Sequence, residues 1–179
     1  MRRASPSITS PTRESCRSTA LAQRESRSAI GVVIQAYLYR SQSDIEQLLA
    51  EGIGIRLCKG AYKEPPEVAF PHKPDVDANF LALSQLLLDS PYSHALATHD
   101  EHIIAAVKAQ VRERDLDLSR FEFQMLYGIK RDLQRSLRRE GYKVRVYVPF
   151  GTDWYPYFMR RLAERPANLI FLARNLFRR

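Results

Sequence analysis

The sequence predicts an α/β protein assembled from parallel strand-then-helix units. Three observations carry this. Apolar, β-branched runs of strand length alternate with segments of helical period from residue 30 to residue 164. The strand runs are apolar almost throughout, as in parallel sheets buried under helices. Five such units follow one another, the pattern of a βαβ sheet. An open doubly wound sheet and part of a (β/α)8 barrel both fit. Neither G-x-G-x-x-G nor G-x-x-x-x-G-K-[ST] follows the first strand, which counts against a nucleotide-binding open sheet. A complete barrel takes eight units over about 250 residues, more than the 179 here.

The elements follow in order. "IGVVIQAYLY" (30–39) reads as a buried strand. In "SDIEQLLAEG" (43–52), Ser43 and Glu46 match a capping box, Ile45, Leu48 and Leu49 share a face, and Gly52 can close the helix. "IGIRLCK" (53–59) is a second strand, followed by a loop with Pro65, Pro66, Pro71 and Pro74. "DVDANFLALSQLLLDS" (75–90) is a helix with Val76, Phe80, Leu83 and Leu87 inward. "SHALATH" (93–99) is a strand, and Asp100 is placed to cap a helix over 100–115. A strand at 121–127, a helix at 130–141 ending on Gly141, and a strand at 143–149 continue the series. The last helix spans 153–164, with Pro156 in its first turn.

Residues 1–28 differ in texture. They are rich in Ser, Arg and Thr, lack aromatic residues and hold no period, so they read as a disordered leader before a domain at 29–179. Six arginines and two glutamates there carry half of the net charge of +8; elsewhere acids and bases are interspersed. With no nucleic-acid motif, a basic binding protein acting through the leader ranks low, and no nucleic-acid partner is expected. Cys16 and Cys58 lack metal or redox spacing and fit a reducing compartment. No apolar run is long enough to span a bilayer.

Ligands of parallel α/β folds gather at the carboxyl ends of strands. Gln35, Arg56 with Lys59, Thr98 with His99, Gln124 and Tyr147 lie at those ends. For any one of them a structural hydrogen bond is the commoner role. Their recurrence on successive strands points to a shared polar ligand. In "RLCKGAY" (56–62), Gly60 permits close backbone approach, though a plain turn glycine between surface cations explains it as well. His99 and His102 stand three apart with no third ligand at suitable spacing, so no metal is expected. Arg160 and Arg161 read either as a solvated face or as a clamp for a carboxylate.

Six segments, "QAYL" (35–38), "RLCKGAY" (56–62), "ATHD" (97–100), "FEFQMLYG" (121–128), "VYVPFG" (146–151) and "WYPYFMRRLAERPAN" (154–168), resemble, in order and spacing, signatures of the proline dehydrogenase family. The resemblance runs from about Gly31 to about Leu172 and covers the later half to two thirds of the catalytic barrel. It implies a partial, distorted (β/α)8 barrel of about five βα units, binding FAD. It implies oxidation of L-proline to Δ1-pyrroline-5-carboxylate with electrons passed to a quinone, the first step of proline degradation to glutamate. Gln35, Arg56, Lys59, Gly60, Ala61, Thr98, His99 and Glu164 would serve the cofactor, with Arg56 at the reactive edge of the flavin ring and Glu164 supporting the site. Leu126, Tyr147, Arg160 and Arg161 would bind proline, the two arginines by its carboxylate. The resemblance also implies a cytoplasmic enzyme with peripheral contact at the inner face of the membrane.

Lys63 and Asp100 stand where tryptophan and asparagine are common in the family. The family's early lysine and its substrate-lining aspartate precede the stretch that begins at Gly31, and nothing here stands in for them. A non-catalytic fragment of a truncated or split gene is therefore the competing reading. Self-association through an exposed barrel edge is expected with either.

Overall fold

The computed structural model describes residues 31–60, 64–148 and 150–151. The expected leader and the helix expected at 153–164 lie outside them. Strands β1 (Gly31–Gln35), β2 (Gly54–Cys58), β3 (His94–Ala97), β4 (Phe121–Leu126) and β5 (Lys143–Tyr147) alternate with helices α1 (Ser41–Ala50), α2 (Lys73–Asp89), α3 (Glu101–Glu113) and α4 (Arg131–Arg139).

The sheet order decides between the two architectures. All five strands are parallel and lie in the order β1-β2-β3-β4-β5. Right-handed crossovers that always advance in one direction put every helix on the same face. A doubly wound sheet would reverse its order at a switch point. The described strands are an arc of a (β/α)8-type barrel, with β1 and β5 as its two edges among the described residues.

Burial follows from that one-sided cover. Ile34, Leu57, Leu96, Phe123 and Val144 stand side by side on the helix-covered face. They join Ile45 and Leu48 of α1, Phe80, Leu83 and Leu87 of α2, Val107 of α3 and Leu137 of α4 in one core. Phe121, Phe123 and Tyr142 pack as an aromatic cluster there, with Phe123 5.4 Å from Phe121 and 5.6 Å from Tyr142, both edge-on. The opposite face carries Val33, Arg56, Ala95, Glu122 and Lys143 in one row and Gln35, Cys58, Ala97, Gln124 and Arg145 in the next. Its members are mostly half-buried or exposed, Val33 at 44%. The strands thus alternate where continuous burial was expected, because the described helices cover only one face.

Helix ends reflect local chemistry. Asp100 caps α3 as expected, its carboxylate accepting from the His102 amide at 3.1 Å. The capping box expected at Ser43 does not form. Helix α1 starts two residues earlier, Ser43 donates to the Arg40 carbonyl at 2.9 Å, and an Arg40–Asp44 ion pair at 2.7 Å spans the first turn. Gly52 turns the chain out of α1 at φ +73°, a region other residues rarely adopt.

Candidate functional site

The carboxyl ends of the strands bring most of the expected residues to one end of the sheet. Gln35, Arg56, Leu126 and Tyr147 share the helix-free face, and Leu126 and Tyr147 are direct cross-strand partners. Lys59 and Thr98 are buried on the helix side of their strands. Ala61, Glu164, Arg160 and Arg161 lie outside the described residues.

Arg56 is the centre of the helix-free face. Its neighbours on β3 are Ala95 and Ala97, small enough for its side chain to cross β3 toward β4. Its Nε donates to Gln124 Oε1 at 2.6 Å, and its guanidinium carbon lies 5.8 Å from the centre of the Tyr147 ring. Its two terminal amino groups make no hydrogen bond or ion pair among the described residues. Gln35, on the same face of β1 but one row further along, opposite Cys58, makes no side-chain hydrogen bond among them either. Glu122 completes the row. Burial, the largest influence on its carboxyl, pushes it up; the bonds from Arg145 and Gln124 outweigh that and hold it below the usual carboxylate range.

Lys59 behaves differently from Arg56. Its ammonium, only 7% exposed, pairs with Asp100 at 2.7 Å and with Asp77 of α2. Lys73 adds a second cation to both acids. Burial is the largest influence on Asp100 and pushes its carboxyl up. The hydrogen bond and charge of Lys59, helped by the His102 amide and Lys73, win and hold it at about 2, against an ordinary 3.8. Lys59 therefore ties the ends of β2 and β3 to the start of α2.

The adjoining turns are equally fixed. Gly60 sits at φ +104°, and a Cβ there would lie 2.2 Å from the Tyr37 ring. Its nearest neighbour is thus a buried aromatic side chain. Thr98 Oγ accepts from the Asp100 amide at 3.1 Å. His99 Nε2 accepts from the Leu126 amide at 2.8 Å, so the neutral ring carries its proton on Nδ1 and links β3 to β4. His102 is exposed at the first turn of α3. Among the described residues no group of three or more His, Cys, Asp or Glu could hold a metal ion, and no helix is long and apolar enough to cross a membrane.

A half-buried cation without an acid partner among the described residues, at the carboxyl ends of sequential parallel strands, suits an electron-rich or anionic ligand. The sequence relatives decide which family this is. The family model described as proline dehydrogenase matches residues 8–174. The chain belongs to the proline dehydrogenase family. Proline dehydrogenase 1 of Bacillus subtilis (strain 168) is 51% identical over 150 residues, 84% of this chain and 50% of that protein. The proline dehydrogenase of Deinococcus radiodurans is 49% identical over 149 residues, 83% of this chain and 48% of that protein. The chain spans about half the length of these relatives. The crystal structure of proline utilization A from Bdellovibrio bacteriovorus, inactivated by N-propargylglycine, superposes with a TM-score of 0.71 at 28% identity, covering 80% of this chain and 18% of that one.

Reading strand ends in the sequence found Arg56, Gln35 and Gln124. It missed Glu122 and Asp77. Glu122 had a signal: the apolar–polar alternation of "FEFQM" (121–125) places Glu122 on the same face as Gln124. Asp77 had none, since an acid in the first turn of a helix is ordinarily read as solvated.

Proposed function

We propose that the helix-free face forms the flavin side of a proline dehydrogenase site, for oxidation of L-proline to Δ1-pyrroline-5-carboxylate with a quinone as electron acceptor. One observation carries this reading: the half-buried Arg56 guanidinium keeps both terminal amino groups without a partner among the described residues. The donor set fits FAD. Arg56 offers charge to an electron-rich ring, and Gln35 offers an amide that can donate or accept at a ring edge. The chemistry FAD supplies when bound is acceptance of a hydride from the carbon beside the proline nitrogen, the electron pair then going to the quinone.

The residues of the chain bind and orient. Arg56 would offer preorganised positive charge to an electron-rich ring. Thr98 and His99 would serve the phosphate and ribose region of the cofactor. Lys59 holds the strand end that leads into Gly60, and Ala61 would serve the cofactor beside it. Leu126 and Tyr147 offer an apolar wall for the proline ring. Arg160 and Arg161 would fix the substrate carboxylate with planar forks, supported by Glu164, so that the reacting carbon is held against the flavin. The competing reading, a fragment that binds nothing, makes the opposite forecast for a single test. Titration of the full chain with FAD, followed by flavin fluorescence, should show saturable binding that Arg56→Met weakens about tenfold or more, the scale of one lost charged hydrogen bond. Absence of binding by the wild-type chain would refute the proposal.

A further inference from the structure

We propose that Glu122 and Arg145 are positioning residues for Arg56, acting through the side-chain amide of Gln124. The inference rests on the role given to Arg56 above and extends it to three side chains not counted in that role. Four side chains form an unbroken line over the helix-free face from β2 to β5. Arg145 Nε and Nη2 donate to Glu122 Oε1 and Oε2 at 2.6 and 3.1 Å. Glu122 Oε1 also accepts from Gln124 Nε2 at 2.7 Å. Gln124 Oε1 accepts from Arg56 Nε at 2.6 Å.

The line has a direction. A carboxylate only accepts, and the Arg145 fork fixes its plane. Glu122 can therefore engage only the NH2 end of Gln124, which forces the amide oxygen toward Arg56. If the amide turned over, its NH2 would face the guanidinium N–H and its oxygen would face the carboxylate. Two bonds would become two repulsions. The line also separates charge from direction. Arg145 neutralises Glu122, and the acceptor that reaches Arg56 is an uncharged amide. Arg56 is aimed without losing its charge. The alanines at 95 and 97 keep the path over β3 clear.

The test reads Arg56 directly in the full chain. In 15N-labelled protein the Arg56 Nε–H resonance is assigned by its loss in Arg56→Lys, and its exchange with water is measured. Wild type should show slow exchange. Glu122→Gln frees the amide to turn and should speed exchange about tenfold, the factor expected for one weakened hydrogen bond. Arg145→Met, an exposed substitution that leaves the core untouched, should speed it in the same direction. The double exchange Glu122→Gln with Gln124→Glu restores a fixed acceptor for Arg56. It should recover slow exchange, yet weaken FAD binding, because a carboxylate now offsets the charge. Unchanged exchange in both Glu122→Gln and Arg145→Met overturns the positioning role even if FAD binds the wild type. Faster exchange in a wild-type-like fold that binds no FAD upholds the positioning role and sinks the flavin reading instead.

Discussion

Replacing Lys59 by methionine tests whether the buried cation is a clamp or a ligand contact. Methionine keeps the apolar stem and removes the ammonium. In the native protein that ammonium is the foremost of the groups that pull the Asp100 carboxyl to about 2 from 3.8. At about 1.4 kcal/mol for each pH unit, this displacement corresponds to about 2 kcal/mol of stability at neutral pH. Removing one member of a fully buried pair costs about 3–5 kcal/mol. Here Lys73 and the His102 amide remain as partners, so the lower figure applies. Lys59→Met should lose about 2 kcal/mol in urea unfolding at neutral pH. Because the folded-state carboxyl is depressed, its contribution is present above pH 3.8 and disappears as pH falls through about 2. The difference between wild type and variant should therefore shrink over that window. A loss below about 0.5 kcal/mol, within the range of ordinary surface changes, would refute the clamp. So would a difference that does not depend on pH. A variant of normal stability that binds FAD poorly would return Lys59 to direct contact with the cofactor.

Other consequences follow from the same geometry. His94 is buried at the start of β3, its Nδ1 accepts from the Ile55 amide at 3.2 Å, and burial pushes its pKa down from 6.5 to about 4. The unfolded chain takes up the proton first, so stability should be level above pH 6.5 and fall by about 3 kcal/mol toward pH 4; urea unfolding of His94→Gln should lack this slope. Gly60→Ala combines a left-handed φ with a clash against Tyr37 and should cost about 2–4 kcal/mol, read as a lower thermal midpoint. Arg160→Ala and Arg161→Ala should each weaken proline binding while leaving FAD affinity unchanged, measured by separate titrations. Parallel loss of FAD would count against a carboxylate clamp.

Much of the fold was legible because burial periodicity and caps are local. All five strands and the four described helices lie within a few residues of their expected places. Asp100 announced its helix by residue type alone. Sheet order was not legible. The same βαβ series serves barrels and open sheets, and only the pairing of β1 through β5 separates them. Face-specific burial was obscured by residues such as Val33, apolar yet on the helix-free side. Within the site, Arg56 stood out as a cation inside an apolar strand. Lys59 carried the same signal three residues later, but strand alternation sends it to the opposite face, where Asp77 and Asp100 hold it. The value of Glu122 depends on a bond chain across three strands, which no window of sequence contains.

The most direct test of the account is anaerobic addition of L-proline to the full chain reconstituted with FAD, while the visible absorbance of the flavin is followed. The flavin should lose its colour with wild type, and much more slowly with Arg56→Met. A flavin that stays bound and yellow at saturating proline would contradict it.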